Sequence, residues 1–170
     1  MLFRSGQKVN YLTTVIYKPL ENKYFDSFMN GQRTKDGLKL AATSMIIKDI
    51  INYRNQGINT FSVFLADQTP PGLETNHWTT FLNQDTAFFT GAGKIASKYD
   101  MAVVFFNIQK KKRGHYNVDF ELLFDHTRGI EEKVIIENYV RRLEKQIIEK
   151  PEYWLWSHRR WKHKRPRHNA

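Results

Sequence analysis

Four groups of residues have types and spacings that chemistry uses. His126-Thr-Arg-Gly-Ile-Glu131 spells His-x-x-x-x-Glu, the acyltransferase dyad in which an acid orients a histidine general base. The same residues can open a helix, with Asp125 or Thr127 as cap and Glu131 complementing its dipole, and that is the expected role. Gly91-Ala-Gly93-Lys-Ile-Ala96 satisfies G-x-G-x-x-A, the pattern that brings a helix N-terminus against a pyrophosphate. It falls inside a helical pattern, without an acidic ribose partner. Phe88 and Ile95 stand where a Walker loop needs glycine and a hydroxyl. Close helix packing is therefore the expected use of these small residues. His158, His163 and His168 are irregularly spaced among basic neighbours that repel a divalent ion, so no metal site is expected. Trp154, Trp156 and Trp161 alternate with Tyr153, Leu155 and cations, a composition that suits stacking on bases or a membrane interface. The plainer alternative is that Trp154 and Trp156 pack into the core.

The elements that must position these groups alternate in period. Residues 11–17 (YLTTVIY) read as a strand, and residues 23–33 as a short helix on Tyr24, Phe25 and Phe28. A strand-like LKLAA follows, then a helix capped by Ser44 and running to Arg54, its core face Met45, Ile46, Ile50 and Ile51, with Gly57 beyond its end. Residues 60–66 (TFSVFLA) suggest a strand buried on both sides, ending in the turn-rich Asp67-Gln68-Thr69-Pro70-Pro71-Gly72. Residues 77–82 predict a strand, 86–98 a small-residue helix and 101–108 a second buried strand. A basic turn at 109–114 leads to an antiparallel partner at 115–124. The longest helix pattern, 131–149, aligns Val134, Ile135, Tyr139, Leu143 and Ile147, and Pro151 stops it. This alternation predicts one α/β layer structure.

Composition narrows the function classes. The 170 residues, 41% hydrophobic, suffice for a buried core, and the absence of cysteine excludes disulfide scaffolds and thiol catalysis. Lys+Arg 27 against Asp+Glu 17 gives a net charge of +10, and the excess is concentrated at Lys110–Arg113 and from Arg159 to Arg167. Such patches call for an anionic partner: nucleic acid, phospholipid headgroups or an acidic carrier protein. The longest apolar run, residues 101–106, is far short of the roughly 20 residues of a membrane span. No signal peptide is evident in residues 1–10, and a cytoplasmic setting is expected.

Three blocks, in order, resemble a known family. Pro151-Glu-Tyr-Trp-Leu-Trp-Ser-His-Arg-Arg-Trp-Lys162 closely resembles the C-terminal signature of the bacterial lipid A biosynthesis acyltransferases, the lauroyl/myristoyl branch of the lysophospholipid acyltransferase superfamily. YKPLENKYFDSFMNGQRTKDG resembles the family's segment leading to a functional arginine, and FLADQTPPG resembles its Asp-Gln loop. The resemblance implies an α/β fold of glycerol-3-phosphate acyltransferase type, a single mixed sheet with flanking helices, its N-terminal part missing. It implies acyl transfer from acyl carrier protein, or from acyl-CoA, to a hydroxyl of an anionic lipid acceptor at the cytoplasmic face of the inner membrane.

By position, Arg33 matches the family's arginine, suited to a phosphate or a developing oxyanion, and Asp67 matches its aspartate. Gln68, Lys110 and Arg113 are candidate substrate-binding residues, and Trp161, Arg159, Arg160 and Lys162 candidate contacts to the membrane or its headgroups. No cofactor, no metal and no nucleic acid are expected. In the family the His-x-x-x-x-Asp/Glu dyad precedes the YKPL-like segment, where this chain has ten residues. The expectation is an inactive C-terminal fragment: 1–10 a non-native or disordered start, 11–157 the acyltransferase portion, and 158–170 a basic tail. The alternative, a basic nucleic-acid-binding module, accounts for the charge and aromatics alone and lacks a recognition signature.

Overall fold

The computed structural model describes residues 11–166 apart from 18, 35–37, 43–44 and 71–75. The chain divides into two compact units, Met1–Leu65 and Ala66–Ala170.

The first unit is a parallel β-α-β-α-β arrangement. Strand β1 (Leu12–Tyr17) is central, with β2 (Lys39–Ala42) on one side and β3 (Thr60–Val63) on the other. Its β-branched run buries Thr13, Thr14 and Val15, and a small core forms from Val15, Leu38 and Val63. Helix α1 (Lys23–Thr34) starts where the Asn22 side chain accepts the amides of Tyr24 and Phe25, both at 3.1 Å. Helix α2 (Ile46–Asn55) buries Ile46 and Ile50, while Met45 and Ile51 of the expected core face are exposed. Ser44, its expected cap, lies outside the described residues. Its exit is a Schellman motif: Gly57 N–H donates to Arg54 O at 3.0 Å and Ile58 N–H to Tyr53 O at 2.9 Å. That geometry puts Gly57 at φ +68°, where a Cβ is penalised.

Strand β3 is four residues long and sits at the edge of its three-stranded sheet, where the expectation was a longer strand buried on both sides. An apolar run signals burial of side chains but not the pairing of its backbone.

The second unit is built on α4 (Glu132–Glu149). Against it lie the hairpins β4 (Asn76–Phe81) with β5 (Gln84–Phe89), and β6 (Val103–Lys112) with β7 (His115–Phe124), and helix α3 (Gly91–Tyr99). Phe81, Phe88, Phe105, Ile136, Val140, Leu143 and Ile147 form the core. The apolar stripe of α4 is thus centred on Ile136 and Val140, and Val134 faces solvent.

Two expectations are corrected here. The run 84–89 is a strand, because Leu82 and Asn83 both take positive φ (49° and 61°) and reverse the chain in two residues. Glu144 on α4 secures that turn by accepting the Leu82 amide at 2.6 Å. The glycine motif therefore opens α3 directly after a strand, although its role is packing. A Cβ on Gly93 would lie 2.8 Å from the Glu132 carbonyl, so glycine there lets α3 approach α4. The expected single mixed sheet is also replaced, among the described residues, by three separate sheets of three, two and two strands. Two-residue turns commit β4–β5 and β6–β7 to their sequence neighbours.

Candidate active site

The Asp-Gln loop and the C-terminal block, read as separate motifs in the sequence, are bonded together. Pro151 ends α4 and starts a 3-10 turn, Pro151–Tyr153, after which the chain runs back under the loop. The Thr69 amide donates to His158 Nε2 at 3.0 Å. The Thr69 hydroxyl is shared between the carbonyls of Arg159 and Arg160, at 2.9 and 2.8 Å. Asp67 is half-buried two residues before this anchor, and Gln68 is exposed between them.

Arg160 points inward, 2% exposed. One terminal nitrogen donates to Ala87 O at 2.7 Å, and the guanidinium lies over the Phe88 ring, 4.4 Å from its centre. Its Nε has no hydrogen-bond partner. Burial lowers the Arg160 guanidinium to about 10, against the opposing influence of Tyr139 and Asp67. Burial also pushes the Tyr139 phenol far above its ordinary value; Asp67 adds to that rise and Arg160 opposes it. Trp161 packs on the core and donates its indole N–H to the Thr86 hydroxyl at 2.9 Å, and Trp154 meets Phe81 edge-on at 6.2 Å.

Arg160 and Trp161, expected at a lipid surface, are thus inside the second unit. Charge and aromatic content do not reveal direction; here the aromatic rings of Phe81 and Phe88 provide a face on which a guanidinium can stack. Arg159 and Lys162 are exposed, as are Tyr153, Leu155 and Trp156. Lys110 and Arg113 are exposed at the tip of the β6–β7 hairpin, where β6 continues through most of the stretch expected to be a basic turn. Arg33 is half-buried in the last turn of α1, in the first unit.

His126 and Glu131 do not form a dyad. His126 is largely exposed, 3.6 Å from Asp100 and 3.8 Å from Asp125. Thr127 is fully buried, and its hydroxyl ties Ala96 O and Met101 O at 2.7 and 2.9 Å, closing the end of α3 rather than capping α4. Asp100 accepts the amides of Arg128 and Thr127, and chiefly the Arg128 bond holds its carboxyl below the usual range. Glu131 precedes α4 without a side-chain cap bond. Among the described residues, no three His, Asp or Glu side chains gather as metal ligands.

Sequence analysis missed an imidazole–carboxylate contact. His77 Nε2 and Glu137 Oε2 are 2.9 Å apart, and Glu137 Oε1 accepts from the Thr79 hydroxyl at 3.0 Å and faces Arg141 Nε at 3.1 Å. The one available signal was period two on a strand, which places His77 and Thr79 on one face. Burial pushes the Glu137 carboxyl up, but the bonds from His77 and Thr79 and the charges of Arg141 and His77 outweigh it, and its pKa is lowered. The sign follows from linkage: this stabilisation is complete above the ordinary value of 4.5 and is lost as pH falls through the lowered one. Glu137→Gln should cost about 1 kcal/mol at pH 7, a modest figure because the carboxylate is partly solvated. Denaturant titrations of both proteins should converge at acid pH; a constant gap would refute the linkage.

No curated protein matches the chain. No helix among the described residues is long and apolar enough to cross a membrane. The model of the bacterial lipid A biosynthesis acyltransferase family matches residues 6–163, a span that takes in Arg33, the Asp-Gln loop and the C-terminal block through His163. On that match, carried by most of its length, the chain belongs to the bacterial lipid A biosynthesis acyltransferase family.

Proposed function

We propose that this chain serves acyl transfer from an acyl-carrier-protein thioester to a hydroxyl of a lipid A precursor, at the cytoplasmic face of the bacterial inner membrane. The observation that supports this reading is the anchoring of the Asp-Gln loop by the C-terminal block, which joins two of the blocks that carry the family resemblance. In this reading Arg33 balances phosphate or oxyanion charge, and Asp67 orients the acceptor. Gln68 adds a neutral hydrogen-bonding group beside Asp67. Lys110 and Arg113 meet anionic substrate groups. The chain alone is inactive in this reading, since none of its described histidines has the geometry of the family's base. Transfer of labelled acyl chain from acyl carrier protein to a lipid A precursor, by the chain joined to a segment supplying that base, tests the assignment. No transfer under those conditions would refute it.

Membrane contact falls to the outward half of the C-terminal block. Arg159, Lys162, Lys164 and Arg165 are exposed beside Tyr153, Leu155 and Trp156, with Arg165 3.7 Å from Asp85. Each cation close to an anionic surface adds about 1 kcal/mol, and the apolar rings suit the headgroup level. Deleting residues 162–170 should weaken binding to anionic vesicles by at least tenfold, and salt should weaken the intact chain in the same direction. Binding indifferent to lipid charge, or tighter to oligonucleotide than to vesicles, would overturn this contact.

A further inference from the structure

We propose that the outward face of the β6–β7 hairpin is a membrane-contact surface, its apolar pairs lying against the acyl layer of an anionic bilayer and its basic tip on the headgroups. The proposal goes beyond the acyl-transfer reading and stands apart from the C-terminal contact, since it concerns other residues and needs no turnover.

Register sorts the hairpin by face, because residues directly opposite in an antiparallel ladder point the same way and neighbours along a strand alternate. One face carries the pairs Val104–Leu122, Phe106–Phe120 and Ile108–Val118, ending at Lys110–Tyr116. The other carries Phe105–Glu121, Asn107–Asp119 and Gln109–Asn117. The more polar face is the one turned to the protein: Phe105 and Asn107 are buried, and Arg142 of α4 lies over the Phe105 ring and pairs with Glu121. The apolar face reaches water instead, with Leu122 58% and Tyr116 45% exposed. Both acids of β7, Asp119 and Glu121, lie on the side away from it. At the tip Lys110, Lys111, Lys112 and Arg113 are exposed, and among the described residues none of the four enters an ion pair. A largely aliphatic face offers a nucleotide base nothing to hydrogen-bond, and a second copy would bring its own net charge of +10 against the first. A bilayer containing anionic lipid meets both features at once, with apolar chains beside phosphate charge.

The chain has no cysteine, so a single introduced thiol can report on each face in turn. Leu122→Cys and Asp119→Cys change exposed positions on opposite faces, and both proteins should unfold like the parent. Labelled with an environment-sensitive fluorophore, position 122 should brighten and shift to the blue on vesicles containing phosphatidylglycerol, while position 119 changes little. Lys111→Gln combined with Lys112→Gln should weaken vesicle binding about tenfold, and added salt should weaken binding of the parent in the same direction. An equal response at the two positions, or none at 122, would overturn the proposal. So would a response at 122 that grows with protein concentration before vesicles are added, which would make this face a contact between copies, or one that an oligonucleotide reproduces.

Discussion

Joined behind a segment carrying a His-x-x-x-x-Asp/Glu block, the chain is expected to transfer acyl groups about 10²- to 10⁴-fold faster than it does alone, the usual contribution of a positioned base. A hydroxyl attacks a thioester slowly until its proton is taken. His126 does not meet that need, because it is solvated and its nearest acids are Asp100 and Asp125, with Glu131 at the start of α4. His77 has a carboxylate beside it, but Glu137 is also committed to Arg141 and to the Thr79 hydroxyl. The measurement is a matched pair of initial rates with acyl carrier protein substrate and a lipid A precursor. Equal rates would sink the expectation. Activity then abolished by His126→Ala, or by His77→Ala, would name the base the chain uses.

In the joined enzyme, Asp67→Ala and Arg33→Ala should each lower kcat/KM by about 10²- to 10³-fold, the scale on which enzymes lose rate when one electrostatic contact to the reacting centre is removed. Stability should move far less. Asp67 is half-buried on a loop whose anchor is Thr69, and α1, which carries Arg33, buries none of its residues. Substituting surface-proximal groups of this kind typically changes stability by around 0.5 kcal/mol or less. Rates and melting temperatures measured on the same preparations decide the matter. Parallel losses in both would assign these residues to the fold rather than to the reaction.

Much of the local architecture was legible from the sequence. The β-branched run of β1, the Pro151 stop after α4, Gly57 beyond α2 and the β6–β7 alternation all follow from preferences acting over a few residues. The failures are as instructive. Residues 86–89 read as part of a helix because a short run of small and apolar residues has no decisive period, and because Leu82 is not a residue that announces a turn. On α4, Ile135, Leu143 and Ile147 are buried as expected, while Val134 is exposed and Ile136 and Val140 join the core, since several phases of a helical pattern fit its apolar residues and only the packing of Phe81, Phe88 and Phe105 selects one.

The chemistry divides along the same line. Sequence by itself determined the family, the Asp-Gln loop, the arginine-bearing segment and the basic, aromatic C-terminal block, because ordered motifs are local strings. Only the tertiary structure decided that Arg159 faces solvent while Arg160 is buried, that Thr69 is the loop's anchor, and that His77 belongs to Glu137. Those contacts join positions 60 to 91 residues apart. Whether a cation turns in or out depends on the surface waiting for it, here the rings of Phe81 and Phe88, and that surface exists only after the β4–β5 hairpin has packed on α4.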